Sequence, residues 1–255
     1  MNPTAERLAF RTEEKKGTTS GMCPGYVQTN MVTLPKEYAF DFLLFCERNP
    51  KSCPLVEVLE AGVTRPKTAD ADIRSDLPKY RIYKDGVFQE EVTNIVDYWQ
   101  EDFVTFLLGC SFTFEEALVH AGIPLAHQQQ DKVVPMFKTN ISLEGAGAFT
   151  GKMVVSMRPI PNDYLDQTLA ISGQFEHAHG EPVHIGNPAD IGIDDIQRPD
   201  YGEAVEYNDT DATPVFWACG VTPQHVALQA KPSLMITHAP GHMLITDEVD
   251  PYYRS

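Results

Sequence analysis

Twice in this chain an apolar run ends on a cysteine and passes almost at once into a helical pattern. FVTFLLGCSFTFEEAL carries Cys110, and VFWACGVTPQHVAL carries Cys219. Each reads as strand, small residue, Cys, two residues, Thr, helix, with Thr113 and Thr222 three residues past the thiols. Thr113 and Glu116 spell a capping box, and Pro223 suits the first helical position, where its missing N–H costs nothing. The thiols are thus expected at the carboxyl ends of strands, where open α/β sheets bind ligands. Helix N-termini attract anions and favour thiolate over thiol. Two such turns converging predict a dicarboxylate pocket flanked by acid/base or nucleophilic thiols. The plainer reading is that Cys is small and often buried, and that any α/β chain has several strand-to-helix turns.

The remaining pattern agrees with alternation. PKEYAFDFLLFCERNP has helical spacing and stops at Asn49-Pro50; CPLVEVLE reads as a strand. A polar loop follows over residues 61–79, and YRIYKDGVFQEEV is a hairpin turning at Asp85-Gly86. VPMFKTNIS, GKMVVSMRPI and PVHIG read as strands, and YLDQTLAISGQF as a helix. The expected fold is α/β with a mixed, mainly parallel sheet and two subdomains, a layout compatible with internal duplication. The expected division places residues 1–125 with about 210–255 in a first unit carrying both thiol turns, and 126–209 in a smaller second unit.

Composition narrows the function classes. Twenty Lys+Arg against 36 Asp+Glu give a formal charge of −16, which repels phosphate backbones and excludes nucleic acid as the expected partner. The N-terminus is too charged for a signal peptide, and no stretch nears the roughly 18 apolar residues of a membrane span. A cytoplasmic protein without a membrane partner is expected, and a homodimer is the default assembly. Five scattered cysteines without a CxxC suit reduced thiols better than disulfides or structural zinc. No GxGxxG, GxxxxGK[ST] or GxSxG occurs, so neither a nucleotide cofactor nor a serine-hydrolase elbow is expected. Eight carboxylates against Arg198 in residues 186–213 fit no EF-hand and read as a solvated surface.

Other polar residues gather around the thiol motifs. HAHGEPVHIG offers His177, His179 and His184; ITHAPGHMLITD offers His238, His242 and Asp247. Pro240 and Gly241 make the latter a turn, with His238 at a strand end, suited to a general base or simply to holding a loop. No recognised ligand spacing supports a metal. Arg158, ending an apolar strand, demands a carboxylate, from a ligand or from the chain itself. Tyr26, Gln28 and Asn30 alternate along one strand face.

GYVQTN, LPKEYAFDFLLFCERNPKSCP, DIRSDLPKYRIYKDG, FLLGCSFTFEEAL, VVSMRPI, HGEPVHIG, PVFWACGVTPQ and ITHAPGHM occur in this order. Together they resemble a bacterial hydro-lyase family related to the D-glutamate cyclases, over nearly the whole chain. The resemblance implies an α/β fold and a carbon–oxygen lyase, with D-glutamate giving 5-oxo-D-proline and water as the related reaction; separately, no cofactor is expected. On that reading His238 takes the amine proton and Cys110 or Cys219 protonates the leaving oxygen. Arg158, Thr113, Thr222, Gln224, His184, His242, Tyr26, Gln28 and Asn30 would hold the small carboxylate substrate. A two-thiol racemase or isomerase of an acidic amino acid, and a non-catalytic carboxylate-binding protein, are the rivals.

Overall fold

The structure, a computed structural model, describes residues 2–250. In chain order its first half comprises α1 (Pro3–Arg11), β1 (Tyr26–Pro35), α2 (Lys36–Arg48), β2 (Leu55–Leu59), β3 (Tyr80–Lys84), β4 (Val87–Val92), β5 (Phe103–Gly109) and α3 (Phe112–His120). There follow α4 (Ala126–Gln129), β6 (Met136–Ser142), β7 (Lys152–Pro161), α5 (Leu165–Ser172), β8 (His184–Ile185), β9 (Ala212–Ala218), α6 (Val221–Gln229), β10 (Met235–His238) and β11 (Leu244–Val249).

The strands form two sheets. One runs β2-β5-β1-β10-β3-β4, with β11 pairing the first half of β1; the other runs β6-β7-β9-β8. Every pairing between these strands is antiparallel. The expectation of a mainly parallel sheet is therefore wrong, and the reason is physical. A strand covered on both faces reads as a continuous apolar run, which is the signature of parallel sheets. Strand β1 is buried from Val27 onward because the first sheet is covered twice. Val32, Leu34, Phe106 and Leu108 pack on Phe42 and Phe45 of α2. On the other face Met31 and Leu107 meet Ala71, Ile73 and Leu77, which come from the polar-looking loop after β2. Burial on both faces says nothing about strand direction.

Residues 212–218, grouped by the sequence reading with the first unit, pair with β7 and β8 in the second sheet. The two thiol turns thus leave different sheets. The hairpin at Asp85-Gly86 forms as read, joining β3 to β4 with both residues at positive φ. Helix α1 was unanticipated from its charged sequence. Asn2 caps it through the Thr4 N–H, and buried Arg7 ties it to both carboxylate oxygens of Asp247, 2.9 Å away, and to the Ile245 carbonyl.

The helices after the thiols start two residues earlier than read. Ser111 and Gly220 are the N-caps, without side-chain cap bonds, so Thr113 and Thr222 are second helical residues and Pro223 the third. Pro223 is still in the first turn, where no intrahelical N–H bond is lost. The capping box is absent: Glu116 instead accepts the Gly25 N–H at 2.7 Å.

Candidate functional site

The two turns close alike. Cys110 C=O accepts the Thr113 N–H at 3.1 Å, and Cys219 C=O accepts that of Thr222 at 2.9 Å. The first helical amides, Phe112 and Val221, each donate to the preceding sulfur. The predicted helix-terminus geometry is present, but its electrostatic consequence is reversed. Burial pushes the Cys110 thiol up to about 12 and the Cys219 thiol up to about 11, against which the helix amides and Arg158 pull only weakly. Negative charge on Cys219 raises Cys110 further, so the two sulfurs share one environment. Both groups are protonated thiols at neutral pH, not the thiolates the sequence suggests.

Asn30 joins the turns. Its side-chain N–H donates to the Gly109 carbonyl at 2.8 Å, and a Cβ on Gly220 would overlap its amide. Gly109 and Gly220 thus flank the thiols where no side chain fits. Thr222 braces its turn against β7 by accepting the Val154 N–H and donating to the Val154 carbonyl, both at 3.0 Å. The Thr113 hydroxyl is buried with no hydrogen-bond partner among the described residues.

Between the turns lies a fully buried guanidinium. Arg158 on β7 donates through Nε to Glu115 Oε1 at 2.9 Å and through Nη2 to the same carboxylate. It also donates to Ser156 and Ser111 hydroxyls at 3.0 and 3.1 Å, and it lies over the adjacent Phe114 and Trp217 rings, 5.1 and 5.3 Å from their centroids. The carboxylate that Arg158 demanded is therefore the protein's own. Burial pushes Glu115 up, but Arg158 and His127 outweigh it and hold the carboxyl down at about 2. His127 Nε2 is 3.3 Å from the same carboxylate, and Gln128 donates to its other oxygen at 3.1 Å.

His238 is buried at the end of β10, with Nδ1 accepting the Met31 N–H at 3.0 Å and Gln224 beside it at 2.8 Å. Burial drives its imidazole down to about 3. Its lone pair is already engaged, which weakens the case for it as a base. Tyr26 and Gln28 line a cleft of about 220 Å³ with Phe112, Glu115 and Glu116. Gln28 donates to the Thr19 and Met22 carbonyls, leaving its buried Oε1 without a partner among the described residues. His184 on β8 and His242 in the turn after β10 are bonded to the Asn187 and Pro240 carbonyls at 2.8 Å. Among the described residues no group of three His, Cys, Asp or Glu is placed to hold a metal ion. None of their helices is long and apolar enough to cross a membrane.

Glu115, Ser111 and Ser156 escaped the sequence reading. A signal existed: Glu115 lies four residues after Ser111 and between Phe114 and Leu118, on a helix face that must be buried, opposite an Arg in need of a carboxylate.

Fold and site define an antiparallel α+β protein with a buried acid–base cluster between two sheets. The D-glutamate cyclase family profile matches residues 104–247, which include both thiol turns, Arg158 and His238. A protein named "Putative hydro-lyase OB3382" from Oceanobacillus iheyensis is 62% identical, over 98% of this chain and 99% of its own length. "Putative hydro-lyase YcsI" from Bacillus subtilis is 54% identical, over 97% and 96%. This chain belongs to the D-glutamate cyclase family. Among solved structures, a nitrogen repressor-like protein from Methanococcus jannaschii superposes at a TM-score of 0.43 with 11% identity, over 95% of this chain and 94% of that one.

Proposed function

We propose that this chain is a carbon–oxygen lyase that acts on a small amino dicarboxylate, converting D-glutamate to 5-oxo-D-proline and water. The observation that carries the reading is the pair of buried thiols from different sheets, both held protonated and each beside a helix N-terminus. Expelling a carboxyl oxygen as water needs proton donors at neutral pH, which these thiols are. The positive ends of the α3 and α6 dipoles suit the substrate's carboxylates and the tetrahedral oxyanion. Arg158, occupied by Glu115, acts by holding that carboxylate and biasing the thiols rather than by gripping substrate.

Proton NMR of the chelator-treated protein with D-glutamate, L-glutamate or 5-oxo-D-proline in separate tubes tests the reading. Interconversion of the D pair alone is expected; three unchanged tubes would reject it. Replacing both Cys110 and Cys219 by Ser is expected to lower the rate about 10²–10⁴-fold, the usual worth of a general acid. Full activity in that variant would remove the thiols from the chemistry.

The thiols' shared environment also supports a two-thiol racemase reading, one thiol on each face of an α-carbon. Deuterated water separates the two: racemisation puts deuterium at Cα, whereas cyclisation leaves the Cα–H in place. Saturable binding with no turnover would instead point to a carboxylate-binding protein.

A further inference from the structure

We infer that His179 is the proton acceptor that works opposite Cys110, its Nε2 taking a proton from the substrate amine. The inference deepens the cyclase reading and rests on it. His179 lies in the short connection before β8 and is 1% exposed. Its Nδ1 is 3.0 Å from the Lys51 carbonyl. A carbonyl only accepts, so Nδ1 carries the hydrogen and Nε2 carries the lone pair. That Nε2 is buried and has no hydrogen-bond partner among the described residues. His238 is the reverse case, its Nδ1 lone pair being engaged by the Met31 amide.

The turn that bears this lone pair abuts the strand end that leads into Cys110. A Cβ on Gly109, the residue before Cys110, would overlap the His177 carbonyl, so the turn bearing His179 is pressed against the end of β5. The imidazole feels Arg158 as a repelling charge and the Gly109 and Lys51 carbonyls as attracting ones. Lys51 also repels its charged form; Glu176 and Glu181 share with it a pocket of about 380 Å³. Burial dominates and drives the imidazole down to about 4, which keeps it neutral at physiological pH. The backbone of His179 is left-handed, φ 81°, a conformation that non-glycine residues adopt at a cost and that concentrates at functional sites.

The step balances. Nε2 takes one ammonium proton, and the freed amine attacks the γ-carbon to form the C–N bond. Cys110 gives its thiol proton to the departing oxygen and recovers one from the nitrogen. As the C–O bond breaks, the imidazolium supplies the second proton. Both protons lost by nitrogen leave in water, and both side chains return to their starting states.

The test compares wild type with His179→Asn, whose amide can still donate to the Lys51 carbonyl and which tolerates left-handed backbone. Expected are kcat down about 10²–10⁴-fold, KM little changed, an unaltered melting temperature and loss of the acid limb of kcat/KM. Turnover by wild type with an equally active His179→Asn of unchanged pH profile overturns the role of His179 and leaves the cyclase reading intact. A wild type inert toward D-glutamate, L-glutamate and 5-oxo-D-proline overturns the reading and this role with it. Nitrogen-15 NMR of the imidazoles supplies a check independent of activity. A hydrogen on Nδ1 at neutral pH is expected; one on Nε2 overturns the assignment.

Discussion

Arg158 and Glu115 form a buried ion pair whose partners depend on one another. With Arg158 0% exposed and Glu115 2% exposed, removing either charge strands the other where water cannot reach it. Breaking such a pair costs about 3–5 kcal/mol, more than a matched apolar replacement of both partners. Glu115→Gln is therefore expected to lose about that much in urea unfolding. A Glu115→Leu/Arg158→Met double variant should lie closer to wild type than either single one. Single losses that simply add in the double variant would show that the pair contributes nothing as a pair. The thiols give a second expectation at this scale. Burial holds both protonated, so iodoacetamide at neutral pH should label neither Cys110 nor Cys219 in the folded protein, as mass spectrometry of the peptides would show.

The functional elements are two strand-to-helix turns, and their spacing depends on glycines that admit no side chain. A methyl on Gly220 would displace Asn30, and one on Gly109 would drive into the His177 carbonyl. Gly109→Ala is expected to cost about 1–3 kcal/mol by overpacking and to lower activity by moving the His179 turn off the end of β5. Unchanged stability and rate would mean that the turns do not need this contact. Much at this scale is legible in sequence: α2, α3, α5, the β3–β4 hairpin and the strands leading to each thiol follow from periodicity and turn residues. The helix starts do not. Thr113 and Thr222 look like caps, yet Thr222 spends its hydroxyl on Val154 of another strand, a partner 68 residues away. Local pattern cannot price a contact made at that distance.

For the whole molecule, the buried titratable groups set a stability window. The unfolded chain protonates His238 and His179 near 6.5, whereas the folded protein resists until about 3 and about 4. Glu115 likewise takes a proton near 4.5 when unfolded and only near 2 when folded. The unfolded state thus binds more protons in acid, and stability falls as pH drops from about 6.5 toward 2. On the alkaline side the folded protein keeps the thiol protons past their ordinary 9.0, so stability falls again as pH rises above 9. Melting temperatures across pH 3–11 should show a plateau between about 7 and 8.5; a maximum below pH 5 would contradict these assignments. By itself the sequence determined the element types, the acidic surface and the identity of the thiol turns, because periodicity, charge and turn chemistry act between near neighbours. Only the tertiary structure decided the rest. It set strand direction, because an apolar run marks burial and not orientation. It placed the two turns on different sheets and gave Arg158 to Glu115. It also left the thiols protonated, because desolvation, which depends on everything packed around a group, outweighs the helix terminus beside it.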